Sequence, residues 1–103
     1  MLCNFRAYQL SCRLYRACEG LRVAPHLRSQ LSRASSSIAL NLAEGWGRRT
    51  HADQRQFFHI AYGSAKETLA ILDLSGAATP EVADLADHVA ACLYKLCRYK
   101  AAK

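Results

Sequence analysis

Proline and glycine are scarce in this chain of 103 residues, with two prolines and five glycines, and only 21% of the residues are charged. Collagen-like, low-complexity and coiled-coil-only compositions are thereby excluded. No apolar run approaches the ~18–20 residues of a helical membrane span, so a soluble protein is expected. Strand-like alternation of useful length is missing throughout. The five cysteines, Cys3, Cys12, Cys18, Cys92 and Cys97, are an odd number. None shows the C-x₂-C spacing of a zinc site, and a step of five turns Cys97 away from Cys92 on a helix. No charged segment, apolar stretch and small-residue cleavage site opens the chain, so the expected compartment is the reducing cytoplasm, with the cysteines serving as small buried hydrophobes.

What is present is apolar and basic. The hydrophobic share is 51%, just above the globular norm of about 45–50%, which calls for one core and more apolar surface than so small a monomer readily hides. The net charge of +6 is unevenly placed. Through Arg55 nine arginines face Glu19, Glu44 and Asp53, whereas from Gln56 onward five basic residues balance five acidic ones. The excess is therefore all arginine and all in the first half. Arginine makes forked contacts with phosphate or carboxylate, which points to an anionic partner, nucleic acid ahead of membrane. A basic surface that merely aids solubility is the competing reading.

Three breaks, Gly20 to Pro25, Gly45 to Thr50 and Ser75 to Pro80, divide the chain into four segments with helical periodicity, predicted at about 4–22, 26–45, 51–75 and 80–100. In the first, Phe5, Tyr8, Cys12 and Tyr15 recur at helical spacing beside Leu10, Leu14, Ala17 and Leu21. The second carries a core stripe of Leu27, Leu31, Ala34, Ile38 and Leu42. The third starts at Thr50, a capping residue with Asp53 three positions on, and closes at Gly76. It has two apolar rows: Phe57, Ile60, Ala61, Thr68 and Ile71 on one side, Phe58, Tyr62, Ala65, Leu69 and Leu72 on the other. A helix apolar on both sides needs two partners, one of which is a broader core or another subunit. Gly63 and Ser64 within it predict close approach of another helix. The fourth opens with Thr79 as cap and Pro80 as first residue, and runs Val82, Leu85, Val89, Cys92, Leu96 and Tyr99 in heptad rhythm. An all-α fold follows, a single domain over 1–103 built as an antiparallel up-down-up-down four-helix bundle.

Catalysis has no visible constellation. His26, His51, His59 and His88 include no H-E-x-x-H and no i, i+4 pair, the Ser35 to Ser37 run has no G-x-S-x-G elbow, and Glu44 with Asp53 offers no recognisable pair of tuned carboxylates. No enzyme, metal or cofactor is expected. The densest feature is the turn Gly45-Trp46-Gly47-Arg48-Arg49-Thr50, where two glycines permit positive φ and two arginines and a tryptophan stand beside a helix N-terminus. Those parts, with Arg55 on the following helix, suit a phosphate or a stacked base. Equally, Gly45 ends the second helix, Arg48 or Arg49 caps carbonyls or pairs with Glu44, and Trp46 packs on the bundle end.

The stretch Gln30-Leu31-Ser32-Arg33-Ala34-Ser35-Ser36-Ser37-Ile38-Ala39-Leu40-Asn41-Leu42-Ala43-Glu44-Gly45, then Gly47-Arg48-Arg49 and Phe57-Phe58-His59-Ile60-Ala61-Tyr62-Gly63-Ser64-Ala65-Lys66-Glu67, resembles the 23S rRNA intervening-sequence protein family. That family's pattern is Q-L-x-R-A-x-x-S-I-x-x-N-x-A-E-G-x-G-R followed by aromatic-x-x-A-x-G-S-x-x-E. The resemblance implies a left-handed antiparallel bundle that assembles as a ring-like homopentamer, in which five copies carry thirty positive charges. It is also similar to the accessory protein of diversity-generating retroelements, a basic pentamer that binds nucleic acid and a reverse transcriptase. The matched residues Gln30, Arg33, Ser37, Asn41, Glu44, Ser64 and Glu67 then form a polar seam in which Arg33 neutralises a buried carboxylate. Two expectations compete: an oligomeric accessory module that binds RNA or DNA through Arg48, Arg49, Trp46 and Arg55, and a protein-interaction scaffold with no nucleic-acid role.

Overall fold

Three local devices place the helix boundaries where the sequence puts them. Thr50 Oγ1 accepts from the Asp53 N–H at 3.1 Å, Thr79 Oγ1 accepts from the Val82 N–H at 3.2 Å, and Gly76, at φ 64°, closes the third helix in the left-handed region. Each satisfies terminal backbone groups that the helix itself leaves open. The structure, a computed structural model, describes residues 2–98. It holds α1 (Leu2–Glu19), α2 (Pro25–Trp46), α3 (His51–Ser75) and α4 (Pro80–Arg98), with no strand among the described residues. Tyr99, Lys100, Lys103 and the side chains of Cys3 and Phe5 lie outside the described set.

Each helix packs on two neighbours, α1 on α2 and α4, and α3 on α2 and α4, while among the described residues the backbones of diagonal pairs stay apart. Arg33 meets Glu67 and Ser37 meets Ser64, so numbering falls along α3 as it rises along α2. In the same sense Tyr62 meets Tyr94, and Leu69 and Leu72 share a pocket with Ala83 and Asp87. Glu19 meets Ser32 across the first turn. The result is an up-down-up-down bundle around one core, with Leu14, Leu31, Ile38, Val89 and Leu93 buried at its centre.

The α2 stripe is buried as predicted from Leu31 to Leu42, with Leu27 packed at its edge. In α1 the buried line is Ala7, Leu10, Leu14 and Cys18, and Tyr8 and Tyr15 flank it. Buried serines stand beside it: Ser11 and Ser35 each donate to the carbonyl four residues back, of Ala7 and Leu31. That bond satisfies the hydroxyl and leaves a small side chain where helices approach. In α3 the core line runs between the two predicted rows, taking Phe58, Ala65 and Leu72 from one and Ala61, Thr68 and Ile71 from the other.

Two expectations about glycine are corrected. Gly45 does not end α2, which continues to Trp46. It is buried inside the helix, and a Cβ there would lie 2.8 Å from Phe58 Cε1 and 3.0 Å from Phe57 Cβ. Gly63, by contrast, is exposed and a Cβ on it meets nothing within 4 Å. The close approach predicted at Gly63 and Ser64 is made by Ser64, which meets Ser37 at 2.8 Å, and the glycine that close packing requires is Gly45.

Candidate functional site

The α2–α3 turn, residues 47–50, is short because both helices run almost into it. The Gly47 N–H donates to the Glu44 carbonyl and the Arg48 N–H to that of Gly45, which closes the end of α2 without positive φ at either glycine. Arg48 Nη2 then reaches back to Glu44 Oε2 at 2.6 Å, and its guanidinium lies 4.7 Å from the centroid of the Phe57 ring. Arg48 is thus tied to the bundle by an i, i+4 ion pair and a cation–π contact. Trp46 is 44% exposed. Arg49 is exposed and Arg55 half-buried, and neither has a carboxylate partner among the described residues.

The seam that the family resemblance implies is formed only in part, by Arg33 and Ser37 of α2 against Glu67 and Ser64 of α3. Ser37 and Ser64 exchange a hydrogen bond at 2.8 Å, and Arg33 Nη2 meets Glu67 Oε2 at 2.5 Å. Asn41 donates to Ser37 Oγ at 3.0 Å and to the Ser37 carbonyl, so it props the serine from within its own helix. Gln30 bonds to the His26 carbonyl on α2, and Glu44 turns to Arg48, so neither crosses to α3. The expected buried carboxylate is also corrected: the side chains of Arg33 and Glu67 are 62% and 40% exposed. A pair so hydrated fixes register and contributes about 0–1 kcal/mol.

These contacts sort the arginines. Arg28, Arg33 and Arg48 are each matched with a glutamate. Arg28 donates to the Cys18 carbonyl at 3.0 Å and to that of Leu21, closing the C-terminal end of α1, a role the sequence did not reveal. Arg6, Arg13 and Arg16 are exposed along one edge of α1 and, like Arg22, Arg49 and Arg55, have no carboxylate partner among the described residues. Their spacing of seven and three is the signal that would have found this edge.

An open pocket of about 320 Å³ lies between α3 and α4, lined by Leu69, Leu72, Ala78 and Ala83 with Asp73 and Asp87 at its polar side. Among the described residues no three His, Cys, Asp or Glu side chains gather as metal ligands, and no helix is long and apolar enough to cross a membrane. Burial pushes the Cys18 thiol up to about 11, with the Arg28 charge opposing, and raises Cys97 by the same cause. Both are held as thiols, as small hydrophobes would be.

Helix count, packing order and exterior together define a four-helix bundle protein with an arginine-rich surface. The family model of the 23S rRNA-intervening sequence protein matches residues 3–97, and the chain belongs to that family. No curated protein matches the chain.

Proposed function

We propose that this chain is a non-catalytic, self-associating bundle that binds RNA or DNA through arginines with no internal partner, acting as a cytoplasmic accessory factor. One observation carries the reading. Three of the nine arginines before residue 56 are matched with glutamate, whereas six are not, and all six are exposed or half-buried. Guanidinium groups free to neutralise phosphates release the cations condensed on a polyanion, and this term supplies a large share of affinity for nucleic acid. Arg49, Arg55 and Trp46 remain in this role. Arg48 belongs to the fold first.

Self-association is supported by apolar side chains left outside the core. Leu40 is 68% and Ile60 48% exposed. With Ser37 opposite Ser64, these two fall at one level on facing edges of α2 and α3. The family resemblance supports five copies, which multiply the field that attracts a polyanion. The same apolar edge favours a second reading, a scaffold that docks a protein partner such as a reverse transcriptase.

Light scattering and a salt-titrated shift assay on mixed RNA and DNA test the proposal together. The expected result is a mass of several chains, pentameric on the family's pattern, and an affinity that falls steeply with salt. Absent or salt-independent binding at low ionic strength, with a protein recovered by the apolar edge, would favour the scaffold.

A further inference from the structure

The charge excess that the sequence places in the first half is regrouped by the antiparallel fold at one end of the bundle. Taking the Ser37 to Ser64 contact as midplane, the half containing the start of α1, the α2–α3 turn and the end of α4 holds Arg6, Arg48, Arg49, Arg55, Lys95 and Arg98 against Glu44 and Asp53. The opposite half holds all six remaining acids. Arg13 lies near the midplane.

Exposed aromatic rings follow the same division. Tyr8 and Trp46, two of the three aromatics among the large exposed apolar residues, lie well inside the basic half, and the third, Tyr94, whose ring meets Tyr62 two residues before Ser64, lies on its border with the midplane. Tyr94 is 49% exposed and has two neighbours: its ring centroid lies 6.0 Å from that of Tyr62, tilted by 54°, and the Arg98 guanidinium lies over the ring at 5.3 Å. A water-exposed tyrosine fixed by a second ring and a cation is a preorganised flat face with positive charge beside it.

We infer that this end of the bundle is a surface for single-stranded nucleic acid, with bases stacking on Trp46 and Tyr94 and phosphates held by Arg49, Arg55 and Arg98. The inference rests on the nucleic-acid reading above and narrows it. Stacking platforms reach bases only where the bases are unpaired, because a duplex buries their faces against one another. A basic patch alone would serve a duplex equally well, since it reads only phosphate. The rings stand on α1, α2 and α4, so a bound strand runs round the pole and covers several nucleotides.

Trp46 is the sole tryptophan, so its fluorescence reports stacking directly. The full chain is titrated with 20-nucleotide oligo(U), 20-nucleotide oligo(dT) and a mixed-sequence duplex of equal length, at about 50 and 200 mM salt. Both single strands are expected to quench Trp46 and to bind about tenfold or more tighter than the duplex. Tyr94→Ala and Arg49→Gln, both at exposed positions, are expected to weaken single-strand binding by about fivefold or more each with unchanged far-UV circular dichroism. Lys66→Ala, at an exposed position across the midplane, changes it less than about twofold. Equal affinity for duplex, or loss in Lys66→Ala with none in Tyr94→Ala and Arg49→Gln, overturns this inference and leaves nucleic-acid binding standing. Absence of binding to all three probes overturns both.

Discussion

Gly45 on α2 and Phe58 on α3 are packed so closely that the missing Cβ of the glycine would lie 2.8 Å from the phenyl ring. The contact sits one residue before α2 ends, and it lets the two helices converge into a turn of four residues. Gly45→Ala should destabilise the fold by about 1–2 kcal/mol, the cost of overpacking against Phe57 and Phe58 less the helix propensity gained. Gly63→Ala, on the same helix pair but facing open space, should stabilise it by about 0.5–1 kcal/mol. Guanidinium denaturation of the two variants beside the parent measures both signs. Equal effects would show that the position of the glycine is irrelevant.

The two rungs between α2 and α3 should respond differently to salt. Ser37 and Ser64 bond at 2.8 Å as neutral, part-buried groups with Asn41 behind them, so truncating either to alanine should cost about 0.5–1.5 kcal/mol at any ionic strength. Arg33 and Glu67 form an exposed ion pair, and a double-mutant cycle on them should give a coupling of about 0.2–1 kcal/mol that fades toward 1 M salt. A salt-resistant coupling at Arg33 and Glu67 would mean that the pair is buried in solution, as in an assembled oligomer.

How far the sequence exposes this structure depends on whether a feature is local. Thr50, Gly76, Thr79 and Pro80 set helix ends through contacts within four residues, so their roles are readable in order along the chain. The α2 stripe is equally plain because large aliphatic residues mark it. In α1 the two tyrosines draw the periodic pattern by their bulk, yet the small residues Ala7, Ser11 and Cys18 are the ones buried because closely packed helices exclude bulk. The misassigned glycine has the same origin: only the partner helix tells Gly45 from Gly63. Among candidate site residues, Ser37 meets Ser64 and Arg33 meets Glu67 across the two helices, whereas Gln30 and Glu44 find partners nearer in sequence. The basic pole was invisible, since it joins Arg6, Arg49 and Arg98 from three separate segments.

Leu40 and Ile60 offer a test of self-association independent of nucleic acid. Both are exposed on facing edges of α2 and α3, so a charge at either position leaves the monomer core untouched. If this edge is the contact between copies, Leu40→Glu and Ile60→Glu should each lower the light-scattering mass toward 11.4 kDa while helicity is retained. An unchanged mass in both would place the interface elsewhere.

Cys18 should impose a pH limit on stability. Its ordinary thiol value of 9.0 is pushed up to about 11 in the fold, chiefly by burial between α1 and its neighbours. Between those values the unfolded chain releases a proton that the folded chain retains, so the unfolded state binds fewer protons and stability falls as pH rises. The contribution is fully present below about pH 9 and is lost toward pH 11. Tm measured at about pH 8, below the window, and at about pH 9.5 and 10.5, within it, should decline for the parent and decline less steeply for Cys18→Ala. The slope should be reduced and not abolished, because burial raises Cys97 in the same direction. At pH 8 the half-buried Cys12 should react with a thiol reagent well before Cys18, since reaction at Cys18 needs both opening of the core and loss of its proton. Parallel pH profiles for parent and variant would show that the Cys18 thiol titrates alike in the folded and unfolded chain.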